Sequence, residues 1–139
     1  MPLTWDAVVI DIATETAVID EGGDDPRPTA SIGKVFLLAE WAERVAADVE
    51  VANQRIDRSS VPAVADSGLW QFLAQDTLTA GDLCVLVAAL SDNWATNALL
   101  DAVSLEAVQE RAIGMGARAS TMLDRIRDKR GPADLPAPS

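Results

Sequence analysis

Only two stretches of this chain carry the β-branched clustering of a strand, and both fall within its first twenty residues. Ala7 to Ile12 (AVVIDI) and Ala17 to Asp20 (AVID), parted by Ala13-Thr14-Glu15-Thr16, predict a hairpin over residues 7–20. Everything regular after it reads as helix. A two-stranded hairpin is marginal on its own and exposes unpaired edges. It must either pack on the helices as an appendage or take further strands from elsewhere. The pattern predicts an α+β chain, mainly helical, with the hairpin at its N-terminus.

The helical region is expected over residues 31–117. Gly22-Gly23-Asp24-Asp25-Pro26-Arg27-Pro28 leaves no room for a regular element and is a loop. From Ser31 to about Val49, apolar residues recur at spacings of three and four: Val35, Leu38, Trp41, Ala42 and Val45, thickened by Phe36 and Leu37. A helix apolar around most of its circumference predicts a central position. Gln54 to Ser67 reads as irregular, with Pro62 excluding a helix interior. Leu69 to Leu73 predicts a short helical turn with its aromatics packed inward. Thr79-Ala80-Gly81-Asp82 has the shape of a capping box and opens the helix Leu83 to Leu90. Ser91-Asp92-Asn93 interrupts, and Trp94 to Val103 resumes. Ser104 caps a further helix, Leu105 to about Ile113, which Gly114 and Gly116 end. Residues 120–139 form a charged, proline-bearing tail. All 139 residues fit one domain or part of one.

Charge and composition exclude several function classes. The net charge of −11 repels phosphate backbones and anionic membranes, so neither nucleic acid nor membrane is an expected partner. No apolar run is long enough to span a bilayer. The first residues lack the basic start and apolar stretch of a signal peptide, so the expected location is cytoplasmic, or periplasmic or secreted if a signal has been removed. Cys84 lies in an apolar run and reads as a small buried hydrophobe. Nothing in the sequence points to a metal or an organic cofactor.

The chain contains no histidine and no tyrosine. A Ser-His-Asp triad is impossible, and acid–base chemistry falls to lysine, a carboxylate or Cys84. Only two lysines occur, and one of them completes Ser31-Ile32-Gly33-Lys34. A serine at a helix start is commonly an N-cap. The same place favours a developing negative charge, and a residue three positions on shares its face, which lets Lys34 reach Ser31. Burial among Val35, Phe36, Leu37 and Leu38 lowers a lysine's pKa towards that of a usable base. Ser91-Asp92-Asn93, sixty residues after Ser31, reads either as a run of capping residues or as a catalytic pair. In the second reading Ser91 relays a proton and Asn93 holds both the lysine and a substrate carbonyl.

Those two runs, Pro28-Thr29-Ala30-Ser31-Ile32-Gly33-Lys34-Val35 and Leu90-Ser91-Asp92-Asn93-Trp94-Ala95-Thr96-Asn97, resemble the first two motifs of class A β-lactamases and related penicillin-recognising serine hydrolases. Leu123-Asp124-Arg125 is similar to the start of that family's Ω-loop. The resemblance implies the helical half of a β-lactamase-like domain, carrying the first two strands of its sheet. It implies acyl transfer on a β-lactam or a D-alanyl peptide, with Ser31 as nucleophile, Lys34 as its base, Ser91 as relay and Asn93 as a substrate contact. The Ser31 backbone N–H would form half of the oxyanion hole. Two departures bear on activity. Where the family places its deacylating glutamate, this chain has Arg127, which stays protonated and is no general base. The third motif, Lys-Thr/Ser-Gly on an inner strand, is absent, and Lys129-Arg130-Gly131 lies in the Ω-loop-like segment. The resemblance therefore spans nearly the whole chain but only about the central half of such a domain. It implies an incomplete site, which a second copy or a complementing chain would finish. The alternative is a truncated or split-half protein that binds a partner without catalysis.

Overall fold

The computed structural model describes residues 5–25, 27–64, 67–117 and 119–129. The proline-bearing end of the tail, and Arg130 and Gly131 with it, lie outside the described residues. Strands β1 (Ala7–Asp11) and β2 (Thr16–Glu21) pair antiparallel, with Ala7 opposite Glu21 and a register shift between Val9 and Ile10. The reversal is held by Asp11, whose Oδ1 accepts from the N–H groups of Ala13 and Thr14. Four helices follow: α1 (Lys34–Ala47), α2 (Ala80–Leu90), α3 (Asn93–Val103) and α4 (Leu105–Gly114).

Two further strands appear where none was expected. Within the stretch read as irregular, β3 (Arg55–Asp57) pairs antiparallel with β4 (Thr77–Thr79). Three-residue strands are too short for period-two alternation to register, so only Ile56, buried between two exposed neighbours, betrays the pattern. The polar insertion between them is organised by Arg58. Its guanidinium donates to Asp76 and to the carbonyls of Trp70 and Leu73, and lies 4.6 Å from the ring centre of Trp94. The turn at Trp70–Phe72 forms as expected, but only Trp70 packs inward; Phe72 is 75% exposed.

The central helix is α3 and not the first one. Eight of its eleven residues are buried, whereas α1 buries Lys34, Phe36, Leu37, Glu40 and Trp41 and leaves Val35 half exposed. Of the stripe expected to face the core, Phe36, Leu37 and Trp41 are buried and Leu38 and Val45 half-buried, while Val35 and Ala42 lie on the open side of α1. Patterning failed on α3 because its buried Asn93, Thr96 and Asn97 look polar in sequence, and each is satisfied inside. Trp41 Nε1 reaches the Leu99 carbonyl at 3.4 Å, and buried Glu40 bridges Arg44 and Arg111, tying α1 to α3 and α4. The core joins Leu37, Trp41, Trp70, Leu83, Leu99, Val108 and Met122.

Candidate functional site

The break between α2 and α3 is where the second motif folds. The expected capping box forms, Thr79 accepting from the Asp82 N–H to start α2. Ser91 ends that helix in the left-handed region (φ 55°), which turns the chain directly into α3. This αL cap is normally given to glycine or asparagine. Asp92 is 1% exposed and holds the turn from both sides. Its Oδ1 accepts from Ala95 N–H at 2.9 Å as the N-cap of α3. Its Oδ2 accepts from the N–H groups of Leu69 (2.7 Å) and Trp70 (2.8 Å). The Asn93 N–H returns the bond to the Ser67 carbonyl at 3.0 Å.

Gly68 is what lets the Asp92 contact form. Its φ is +124°, and a Cβ there would lie 2.3–2.7 Å from the Asp92 carboxylate atoms. Any side chain would displace the carboxylate and strain the backbone.

Into the cleft so formed projects Lys34, 3% exposed. Its Nζ donates to the Ser91 carbonyl at 2.7 Å, to Ser91 Oγ at 2.8 Å and to Asn93 Oδ1 at 2.7 Å. Three acceptors match three N–H groups. Burial pulls the lysine's pKa down to about 8, and the nearby Asp92 charge opposes that pull. The structure thus brings together three of the four residues singled out in the sequence: Lys34, Ser91 and Asn93.

Ser31 stands apart. It lies in a 3-10 turn (Ala30–Gly33) that precedes α1, after Ala30 at φ 46°, and its residue is exposed. α1 begins at Lys34 after Gly33, with no side-chain cap, so Ser31 is not an N-cap. Among the described residues no hydrogen bond joins Ser31 Oγ to Lys34 Nζ; the three lysine donors go to Ser91 and Asn93.

Sequence reasoning missed two anchors of this arrangement. In sequence Asp92 reads as one residue of a capping run, and Asn97 carries no assigned role. Asn97 is buried one turn beyond Asn93. It grips the tail through both backbone groups of Ile126, donating to the carbonyl at 2.8 Å and accepting from the N–H at 2.9 Å. An asparagine four residues after another on one helix face was the available signal. The grip sets Arg127 next along the tail, paired with Asp124 at 3.1 Å. Cys84 is half-buried, and burial pushes its thiol up to about 11, which makes it a poor nucleophile.

With this geometry in hand, the chain is placed by comparison. A family model described as the β-lactamase enzyme family matches residues 2–137, and the chain belongs to that family. No curated protein matches it in sequence. Among solved structures, the β-lactamase from Sphaerobacter thermophilus DSM 20745 is 27% identical with a TM-score of 0.81, covering 94% of this chain and 49% of that one. An ancestral (GNCA) class A β-lactamase is also 27% identical, with a TM-score of 0.77, covering 96% and 52%. PBP-A shares the fold at 18% identity and a TM-score of 0.76, covering 87% and 46%. The chain therefore spans about half the length of the structures it matches, and its α+β architecture corresponds to the helical half of a β-lactamase-like domain. No helix among the described residues is long and apolar enough to cross a membrane.

Proposed function

We propose that this chain supplies the acylating half of a serine hydrolase site, acting on a β-lactam or a D-alanyl peptide amide. In this reading Ser31 is the nucleophile, Lys34 the base, Ser91 the relay and Asn93 a contact to lysine and substrate. The observation that carries it is the buried Lys34 ammonium, saturated by three acceptors and titrating near 8. A base must give up one N–H and present a lone pair. Of the three acceptors, a backbone carbonyl and an amide oxygen can only accept. The Ser91 hydroxyl alone can reverse, donating to neutral Lys34 and accepting from the ammonium. Ser91 Oγ can therefore exchange a proton with Nζ, and in this reading it relays the proton that leaves Ser31 and passes it to a departing nitrogen. Of the structural neighbours, a PBP-A variant is described as an acyl-enzyme complex with penicillin G, and one called L2 as complexed with relebactam.

Deacylation is the step this chain is least equipped for. Arg127 cannot activate water, so an acyl-enzyme, once formed, persists. Incubation with a fluorescent penicillin should label Ser31, seen as a single adduct by intact mass, and Ser31→Ala should abolish it. Labelling should speed up as pH rises through about 8, the pKa of Lys34. Absence of any adduct at millimolar penicillin would sink the reading.

The second reading, a half-domain that binds a partner chain without turnover, is favoured by one feature. The hairpin carries Val8, Val9, Ile10, Val18 and Ile19 all at least 46% exposed. A second copy or a complementing chain carrying further strands would cover it.

A further inference from the structure

We propose that Arg58 is a positioning residue for the lysine site: it braces the loop over residues 67–76 against Asp92 and so fixes the acceptors of Lys34. Its catalytic meaning rests on the hydrolase reading above, whereas its effect on Lys34 does not. A guanidinium carries five N–H donors in a rigid plane and, once buried, needs partners for them. Arg58 is 8% exposed and lies outside both sequence motifs. Its side chain donates to this loop: Nε to Asp76 Oδ1 at 2.9 Å, Nη1 to the Trp70 carbonyl, and Nη2 to the Leu73 carbonyl at 2.9 Å. Its own N–H donates to the Asp76 carbonyl at 3.0 Å. The Asp76 side chain is 68% exposed, so the ion pair alone is a weak reason to bury this charge. The two carbonyls give a better one, since they make the guanidinium the inner brace of the loop.

The end of the loop that Arg58 holds is the end that reaches the site. Trp70 accepts from Arg58 through its carbonyl and donates its N–H to Asp92 Oδ2 at 2.8 Å, beside the Leu69 N–H at 2.7 Å. The guanidinium also lies 4.6 Å from the ring centre of Trp94, the residue after Asn93, and 5.5 Å from that of Trp70. Arg58 thus touches both the loop that bonds Asp92 and the helix turn that carries Asn93. The charged groups in play are Asp57 and Asp76 around Arg58, and Asp92 beside Lys34. If the loop lets go, two N–H groups leave the Asp92 carboxylate and water enters beside the lysine. Both changes favour the ammonium, so the proton affinity of Lys34 should rise.

The chain has two lysines, Lys34 and Lys129, so carbon-13 lysine labelling of the full chain gives a two-signal NMR titration with Lys129 as internal reference. In Arg58→Met the Lys34 midpoint should climb from about 8 by about one pH unit, and amide exchange at Leu69 and Trp70 should quicken. Arg58→Gln can still donate to one carbonyl; it should give a smaller climb, and it decides the matter if Arg58→Met does not fold. Val108→Ala, a core truncation in α4, should leave the midpoint unmoved. The neutral fraction of Lys34 at pH 8 would drop from about one half to about one tenth, so penicillin labelling of Ser31 in Arg58→Met should fall about fivefold there and recover by about pH 10. A Lys34 midpoint within about 0.2 of the unsubstituted chain in the folded variants would overturn the proposal, as would an equal climb in Val108→Ala. Failure of the unsubstituted chain to label sinks the hydrolase reading instead, and the Lys34 midpoint still decides the role of Arg58.

Discussion

The helical body and the hairpin are built by opposite rules within one chain. In the body, polar groups are buried and answered: Lys34 by three acceptors, Asp92 by three N–H groups, Asn97 by both backbone groups of Ile126. Among the described residues one buried side-chain oxygen, Thr121 Oγ1, lacks a partner. In the hairpin, apolar groups are exposed and unanswered. The body is thus over-determined by its hydrogen bonds, while the hairpin is held by its own ladder and the Asp11 turn. Stability and specific geometry reside in the first region, and exposed apolar surface in the second.

Substitutions should read out that contrast directly. Asp92→Ala removes a buried carboxylate and strands three N–H groups, at about 1–3 kcal/mol each before relaxation. A net loss on the order of 3–5 kcal/mol is expected, measured by urea denaturation, and enough to unfold a marginal domain. Gly68→Ala should follow at about 2–4 kcal/mol, because the new methyl meets the Asp92 carboxylate in a conformation L residues rarely adopt. If Gly68→Ala costs less than about 1 kcal/mol, the loop yields freely and the body is less rigid than its bonds suggest.

Alkaline pH probes the same region more gently. Lys34 titrates near 8 in the folded chain against 10.5 for the free side chain. Between those values the unfolded chain binds the extra proton, so Lys34 makes stability rise with pH, by about 1–3 kcal/mol. Cys84 acts in reverse: its thiol is raised from 9.0 to about 11, so stability falls with pH across that window. Denaturation from pH 7.5 to 10.5 in a Cys84→Ala background should isolate the rising limb, and Lys34→Met should flatten it. In the hairpin, Val9→Thr with Ile19→Thr should change stability by less than about 0.5 kcal/mol, since both side chains are already in solvent. A loss above 2 kcal/mol by thermal melting would show that the hairpin is coupled to the core, and would break the contrast.

Much of the body is legible in the sequence. The Thr79 cap, the break at Ser91-Asp92-Asn93, the Ser104 cap and the glycine end of α4 are short-range events that residue chemistry fixes locally. The clustering of Lys34, Ser91 and Asn93 was legible through motif spacing. Much of what is not legible depends on partners distant in sequence. The role of α3 was hidden because Asn93, Thr96 and Asn97 look solvent-facing until Lys34, the Asp92 carbonyl and Ile126 are placed beside them. The α1 stripe is right in Phe36, Leu37 and Trp41 and too wide at Val35 and Ala42, because apolar periodicity names a face without saying how much of it is covered. The pair β3 and β4 escaped by brevity, and the place of Ser31 in a 3-10 turn by the difference between three and 3.6 residues per turn.

The lysine pocket also has a kinetic meaning. Lys34 finds its acceptors 57 and 59 residues further along the chain. No nascent helix or local turn can assemble such a contact, so it closes only once α1, α2 and α3 have docked. Before that moment the amine is an ordinary, hydrated lysine; afterwards it is enclosed and its proton affinity has dropped. Protection of this one amine from a small acylating reagent during refolding therefore times the arrival of tertiary structure, and separates it from the earlier appearance of helical signal.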